Sequence, residues 1–201
     1  MGRYSVAGAE INLATDIRTG TTAARPAAAR EGRLYFNTTT RTIQRDSGSA
    51  WVDMVPGDIG CRVRHDAAIS LSNNVNTTLS MNTESEDTDT MHDNVTNNAR
   101  ITFTTAGVYV VGANIRFAAH ATGERDAFIF LNGATTICFL ITQAVTVAGA
   151  PTIIELTTRR KFAAADYIEV RALQSSGGAL DVESNSDYSP GMWAQKIDVA
   201  G

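Results

Sequence analysis

The stretch RITFTTAGVYVVGANIRF, from Arg100 to Phe117, decides how this chain is read. Ile101, Phe103 and Thr105 lie two apart on its first arm, the period of a half-buried strand. Thr105-Ala106-Gly107 then reads as a turn, because glycine enters backbone angles that a side chain opposes. Val108-Tyr109-Val110-Val111 is β-branched or aromatic throughout, which suits a strand covered on both faces. The expectation is a hairpin from the centre of a β-sandwich.

The segments on either side continue the pattern. Ala127–Leu131 and Thr135–Leu140 flank Asn132-Gly133, a strong two-residue hairpin signal. Pro151–Leu156, Tyr167–Leu173, Ala179–Glu183 and Met192–Ile197 read as later strands, with Ser175-Ser176-Gly177-Gly178 as a turn. Upstream, Cys61–His65, Ala68–Leu71 and Thr77–Met81 read as strands, and the polar run from Asn82 to Asn98 reads largely as loop. Eight to ten strands without an amphipathic helix point to an all-β sandwich, a jelly roll.

Residues 1 to about 32 lack core periodicity and are rich in Ala, Thr, Gly and Arg, with at most a short helix after Pro26. A segment of this composition cannot bury enough apolar surface to offset its ordering entropy. It is expected to lie on sister subunits or on a larger assembly. Gly32–Asn37, TTTRTIQRD and Ser47–Met54 alternate short strands with turns, giving a small hairpin stem around Tyr35 and Trp51, with Trp51 as its large apolar anchor. An isolated hairpin is marginal in water, and threefold repetition about an axis would stabilise it. Val55-Pro56-Gly57-Asp58 marks a boundary, dividing the chain into 1–57 and 58–201.

At 201 residues the chain is long enough for one good core and an appendage. A formal charge of −4, with no cluster of Arg and Lys interleaved with aromatics, argues against nucleic acid as a partner. No apolar run approaches the roughly 20 residues that cross a bilayer. The N-terminus lacks a charged-then-apolar signal pattern, so export by a signal peptide is not expected. Cys61 and Cys138 sit in strand-like runs and read as buried free thiols, with a single disulfide as the open alternative.

Phe103, Gly107 and Tyr109 in F-x-x-x-G-x-Y, the FIFLNG hairpin, Asp166-Tyr167-Ile168 and the closing Tyr188-Ser189-Pro190-Gly191-Met192-Trp193 resemble the TNF-like superfamily, in particular the globular head domain of the first complement component. The likeness covers about residues 59 to 198 and implies a TNF-like jelly roll and a homotrimer. Trp193 stands where that family often carries a smaller apolar residue. A second resemblance lies upstream. ARPAAAREGRLYFNTTTRTIQRDSGSAWVDM looks like a segment of bacteriophage tail and head-fibre proteins, matched at Gly32, Leu34, Tyr35, Thr38, Gly48, Ala50 and Trp51. The loops Thr90–Asp93 and Ser176–Leu180 are similar to those of phage-encoded heads. Together these imply a virion protein with an N-terminal anchor (residues 1–57 docking on capsid or tail proteins), a small stem and a trimeric head.

Catalytic and metal chemistry find little footing. Glu84, Glu86, Asp87, Asp89 and Asp93 carry the oxygens calcium prefers, but Met91 occupies a ligand position of the EF-hand pattern and no glycine follows. The run reads as a solvated acidic loop. His65, His92 and His120 have no zinc-ligand spacing, and His92 beside Asp93 reads as a loop closure or as lining a threefold axis. No serine sits in a nucleophile elbow and neither cysteine has a histidine close in sequence. The expectation is a non-enzyme without cofactor, a structural head-fibre or decoration protein of a phage virion. The alternative is a tail-associated adhesin that meets a host-surface glycan or protein through exposed loops, with Asn73, Asn74, Asn97 and Asn98 as candidate contacts. A secreted signalling ligand is a third reading, weakened by the N-terminal sequence.

Overall fold

The structure is a computed structural model that describes residues 4–6 and 9–11 by backbone, and residues 17–54, 59–185 and 189–197 in full. The expected boundary turn at 55–58, Tyr188 of the closing motif and residues 1–3, 7–8 and 12–16 of the N-terminal arm lie outside the described residues. The chain divides into two compact units, Met1–Gly57 with Asp198–Gly201, and Asp58–Ile197.

In the first unit β1 (Tyr4–Val6) pairs antiparallel with β2 (Ala9–Ile11). A four-stranded sheet follows, in the order β3 (Ile17–Gly20), β4 (Leu34–Asn37), β5 (Thr42–Asp46), β6 (Trp51–Asp53). The β4–β5–β6 meander lies where the stem was expected. The parallel strand β3 was not anticipated, and residues after Pro26 form no helix. Two-residue periodicity sorts the side chains onto two faces. Tyr35, Gln44, Asp46, Trp51 and Asp53 share one, and Leu34, Phe36, Ile43, Arg45 and Val52 share the other. Trp51 does not anchor the stem alone. Tyr35 is buried, and Trp51 lies half-buried against it with ring centroids 5.6 Å apart.

The second unit is a sandwich of two sheets. Its strands are β7 (Gly60–Arg64), β8 (Ile69–Leu71), β9 (Thr77–Thr78), β10 (Thr83–Asp87), β11 (Arg100–Thr102), β12 (Gly107–Phe117), β13 (Glu124–Leu131), β14 (Thr135–Gln143), β15 (Thr152–Phe162), β16 (Tyr167–Gln174), β17 (Leu180–Val182) and β18 (Gly191–Lys196). One sheet runs β10-β7-β18-β12-β17-β8, with β15 along the other side of β12. The second runs β11-β16-β13-β14, with β9 also on β16. Among the described residues there is no helix.

Three sequence expectations change. The arms around Gly107 are not a hairpin, since β11 pairs with β16 in one sheet while β12 pairs with β15 and β18 in the other. The reason is Phe103, whose buried ring stacks on Phe162 at 3.9 Å between the sheets and draws the chain across the sandwich. Strand β12 is not covered on both faces. Its odd-numbered side chains are buried, while Val108 and Val110 point outward and stay half-exposed. Within the polar run, Thr83–Asp87 forms β10 against β7 across a bulge, a pairing that backbone hydrogen bonds support without apolar side chains. The Asn132-Gly133 hairpin forms as expected, with both residues at positive φ, 51° and 69°.

Candidate functional site

The fold-motif residues come together in the core. Tyr109 meets Phe103 edge-on at 4.7 Å and donates its hydroxyl to the Thr105 carbonyl at 2.7 Å. Gly107 pairs with Phe162, and Gly191 with Arg64 and Asn114. Each fully buried Phe contributes about 1.5–3 kcal/mol, so this trio is a folding element. Trp193 is different. It faces outward, flat across Gly112, where a Cβ would lie 2.5 Å from its ring and 2.7 Å from the Leu156 carbonyl oxygen. Beside it lies a shallow hollow of about 240 Å³ lined by Cys61, Arg62, Glu86, Asn114, Trp193 and Gln195.

The candidate asparagines do not form one site. Asn74 donates its backbone N–H to Gln174, and Asn73 accepts from Gly177. Asn97 precedes β11, whose Arg100 pairs with Glu169. Five residues of β16 therefore separate the two pairs, roughly 17 Å. Asn97 accepts the Arg100 N–H through its carbonyl, and the Asn98 carbonyl accepts from Met81 and from His92. These residues organise turns.

The acidic loop is consumed internally. Asp87 accepts the backbone N–H groups of Asp89, Met91 and His92, and Asp93 those of Val95 and Thr96. The N–H groups of Thr96 and Val95 hold the Asp93 carboxyl below its ordinary value. The His92 side chain is buried, with Nδ1 3.0 Å from Glu84 Oε1 and Nε2 3.0 Å from the Asn98 carbonyl. Among the described residues no group of three or more His, Cys, Asp or Glu is placed to hold a metal. His65 sits 2.9 Å from the Ser80 carbonyl, and His120 lies in an exposed turn. Both cysteines are free, Cys61 buried and Cys138 half-buried. Burial pushes the Cys61 thiol well above its ordinary value, and Asp87, Glu84 and Glu86 add to this.

What sequence reasoning missed is an apolar edge. β14 and β15 border the two sheets on the same side, with Cys138 Sγ 3.8 Å from the Thr157 carbonyl. Along this border Phe139 is 62% exposed, and Leu140, Ile141 and Ile153 are exposed as well. The signal was available in the unbroken Ile137–Ile141 run, where no polar residue covers the outer phase. Two buried charges were also missed. Arg125 points inward at the core's end, donating to the carbonyls of Thr122, Glu124 and His120, while its Nε has no partner. Asp126, on the opposite face, is buried beside the Ile141 and Leu173 positions with Oδ1 unpartnered. Burial, and then the charge of Glu124, raise its carboxyl above the ordinary value.

No family model matches the chain, and no curated protein matches it in sequence. Solved structures do match. Eiger TNF from S. frugiperda is 11% identical, with a TM-score of 0.50, over 72% of this chain and 95% of that one. Murine APRIL at pH 5.0 is 10% identical, with a TM-score of 0.54, over 70% of this chain and 99% of that one. A second murine APRIL structure, at pH 8.5, is 11% identical with a TM-score of 0.51, over 69% and 98%. At this identity the likeness speaks to fold alone: the chain carries an all-β, TNF-like jelly-roll sandwich.

Proposed function

We propose that this chain is a structural protein of a bacteriophage virion, a homotrimeric head-fibre or decoration protein whose residues 1–57 dock on the particle and whose sandwich is exposed. The observation that supports the trimer is the presence of two part-exposed apolar surfaces on the sandwich. The β14–β15 border leaves Phe139, Leu140, Ile141 and Ile153 in water. The outer face of the larger sheet offers Val108, Val110 and Trp193, all half-buried, and the hollow beside Trp193. An edge that fits a face on the next copy is a head-to-tail contact, which closes into a ring when the rotation allows. An exposed apolar stretch of this kind marks an interaction surface. The virion context rests on the phage-like segment around Gly32, Tyr35, Gly48 and Trp51. No catalytic role is proposed.

The adhesin reading receives less support, because its four asparagines sit at opposite ends of β16 and serve their own turns. Light scattering of the full chain should give three times the monomer mass, and Phe139→Glu with Ile141→Lys should return it to one. A folded monomer in the unmodified chain would overturn the trimer. Immunogold labelling of virions tests the location: signal over the capsid supports decoration, and signal confined to the tail tip supports the adhesin.

A further inference from the structure

We infer that the apolar face of the four-stranded N-terminal sheet is a contact surface for further copies of this chain, three such faces packing about a common axis. The inference rests on the homotrimeric reading above. Ile17, Leu34, Phe36, Ile43 and Val52 share this face through the register of β3 to β6, and Met54 follows in phase with Val52. Ile17, Ile43 and Met54 are 39, 42 and 49% exposed, and the others half-buried.

The opposite face already has its cover. Residues 25–33 fold over it, fixed by Asp46, which accepts from Ala29, Arg30 and Arg33, and by Trp51, which donates to the Pro26 carbonyl at 2.8 Å. So, among the described residues, the sheet is closed by polar contacts on one side and only partly covered on its apolar side. A small sheet needs an apolar face buried to be stable on its own.

Two features select another copy as the occupant. Among the described residues of strands β3 to β6 the face presents one charge, Arg45, which already lies 3.9 Å from Glu31. A surface that is apolar apart from Thr19 and this paired charge complements itself and offers little pattern to a charged partner. The second feature is the tether. Only residues 55–58 lie between Met54 and Ile59, a covalent span of at most about 18 Å. Copies gathered by their sandwiches thus hold these faces at an effective concentration on the order of millimolar, enough for a contact too weak to form between free chains.

The test uses the full chain with Cys138→Ser and a nitroxide attached through Ile43→Cys; Cys61 is buried and does not label. Sheets packed face to face lie about 10 Å apart, so strong dipolar coupling between chains is expected, and dilution with unlabelled chain should remove it. A control label through Ser49→Cys, on an exposed turn, should couple weakly. Ile43→Lys should lower the melting of this sheet while light scattering still reports a trimer. A trimer with an uncoupled label at 43 overturns the inference and leaves the trimer standing. A monomer overturns both. An immobilised but uncoupled label means that another part of the same chain covers the face, and this also overturns the inference.

Discussion

Phe103 and Asp46 hold comparable places in the two units, each buried and each joining strands to a segment that crosses over them. Phe103 does so by stacking on Phe162 and meeting Tyr109 edge-on. Asp46 does so by accepting from Arg33 and from the backbone of Ala29, Arg30 and Gly48. The sandwich has two apolar sheet faces to press together and needs no charge at its centre. The N-terminal sheet is too small for a second layer, so a loop covers one face and directional polar bonds hold that loop. Stability from buried apolar area does not depend on pH, whereas stability from a carboxylate does. The two tryptophans, Trp51 and Trp193, fall one in each unit, so their emission separates the responses.

The sharpest test of the contrast is Phe103→Ala. It should destabilise the sandwich by about 3–5 kcal/mol, read from Trp193 during denaturant unfolding, and a loss confined to Trp51 would break the comparison. Asp46→Asn should be the most damaging polar substitution in the N-terminal sheet, lowering the Trp51 transition in a Trp193→Phe chain. Burial alone would raise the Asp46 carboxyl, but the Arg33 guanidinium and the N–H groups of Arg30, Gly48 and Ala29 hold it far below the ordinary range. A depressed carboxyl stabilises the fold at every pH above its unfolded value, and loses that contribution only as pH falls toward the folded one. The Trp51 transition of the natural chain should therefore decline progressively as pH falls below the ordinary carboxylate range, and Asp46→Asn should remove that acid step.

Smaller effects sharpen the picture within the sandwich. His92→Ala removes one donor from the Asn98 carbonyl, which keeps Met81, and one partner from the part-exposed Glu84, at a cost of about 1 kcal/mol, visible as faster amide exchange in residues 91–98. Asp126→Asn should raise the sandwich's melting temperature slightly at neutral pH. A carboxyl raised by folding holds its proton more tightly in the folded state, so it costs stability once pH passes above the unfolded value. The gain should disappear below the ordinary carboxylate range, and a gain that persists there would assign the effect to packing.

Much of the fold was legible because alternation survives in the strands themselves. β13, β14, β16 and β18 follow the runs read for them, and Asn132-Gly133 turns as its residue types require. What alternation does not encode is which sheet a strand joins. Ile101 and Tyr109 read as neighbours in a hairpin, and a stacked ring far along the chain, Phe162 on Phe103, decides otherwise. Strand β10 stayed hidden because Thr83–Asp87 carries no apolar phase, and β3 because parallel pairing with β4 leaves no turn between adjacent strands. The candidate surface was legible only in part. Trp193 was singled out for its size, while its outward direction depends on the β18 register against Gly112. The asparagines were chosen for composition, and composition does not distinguish a ligand contact from a side chain engaged by its own loop.

Trp193 lies across Gly112 on the face where the next copy is proposed to sit. The indole is thus a built-in gauge of association: its emission should shift toward the blue as chains come together and return as they part, without any added dye. The same geometry restricts a site eighty residues away along the chain. A side chain gained at 112 would meet both the ring and the Leu156 carbonyl oxygen, so the glycine is required there whatever stands at 193.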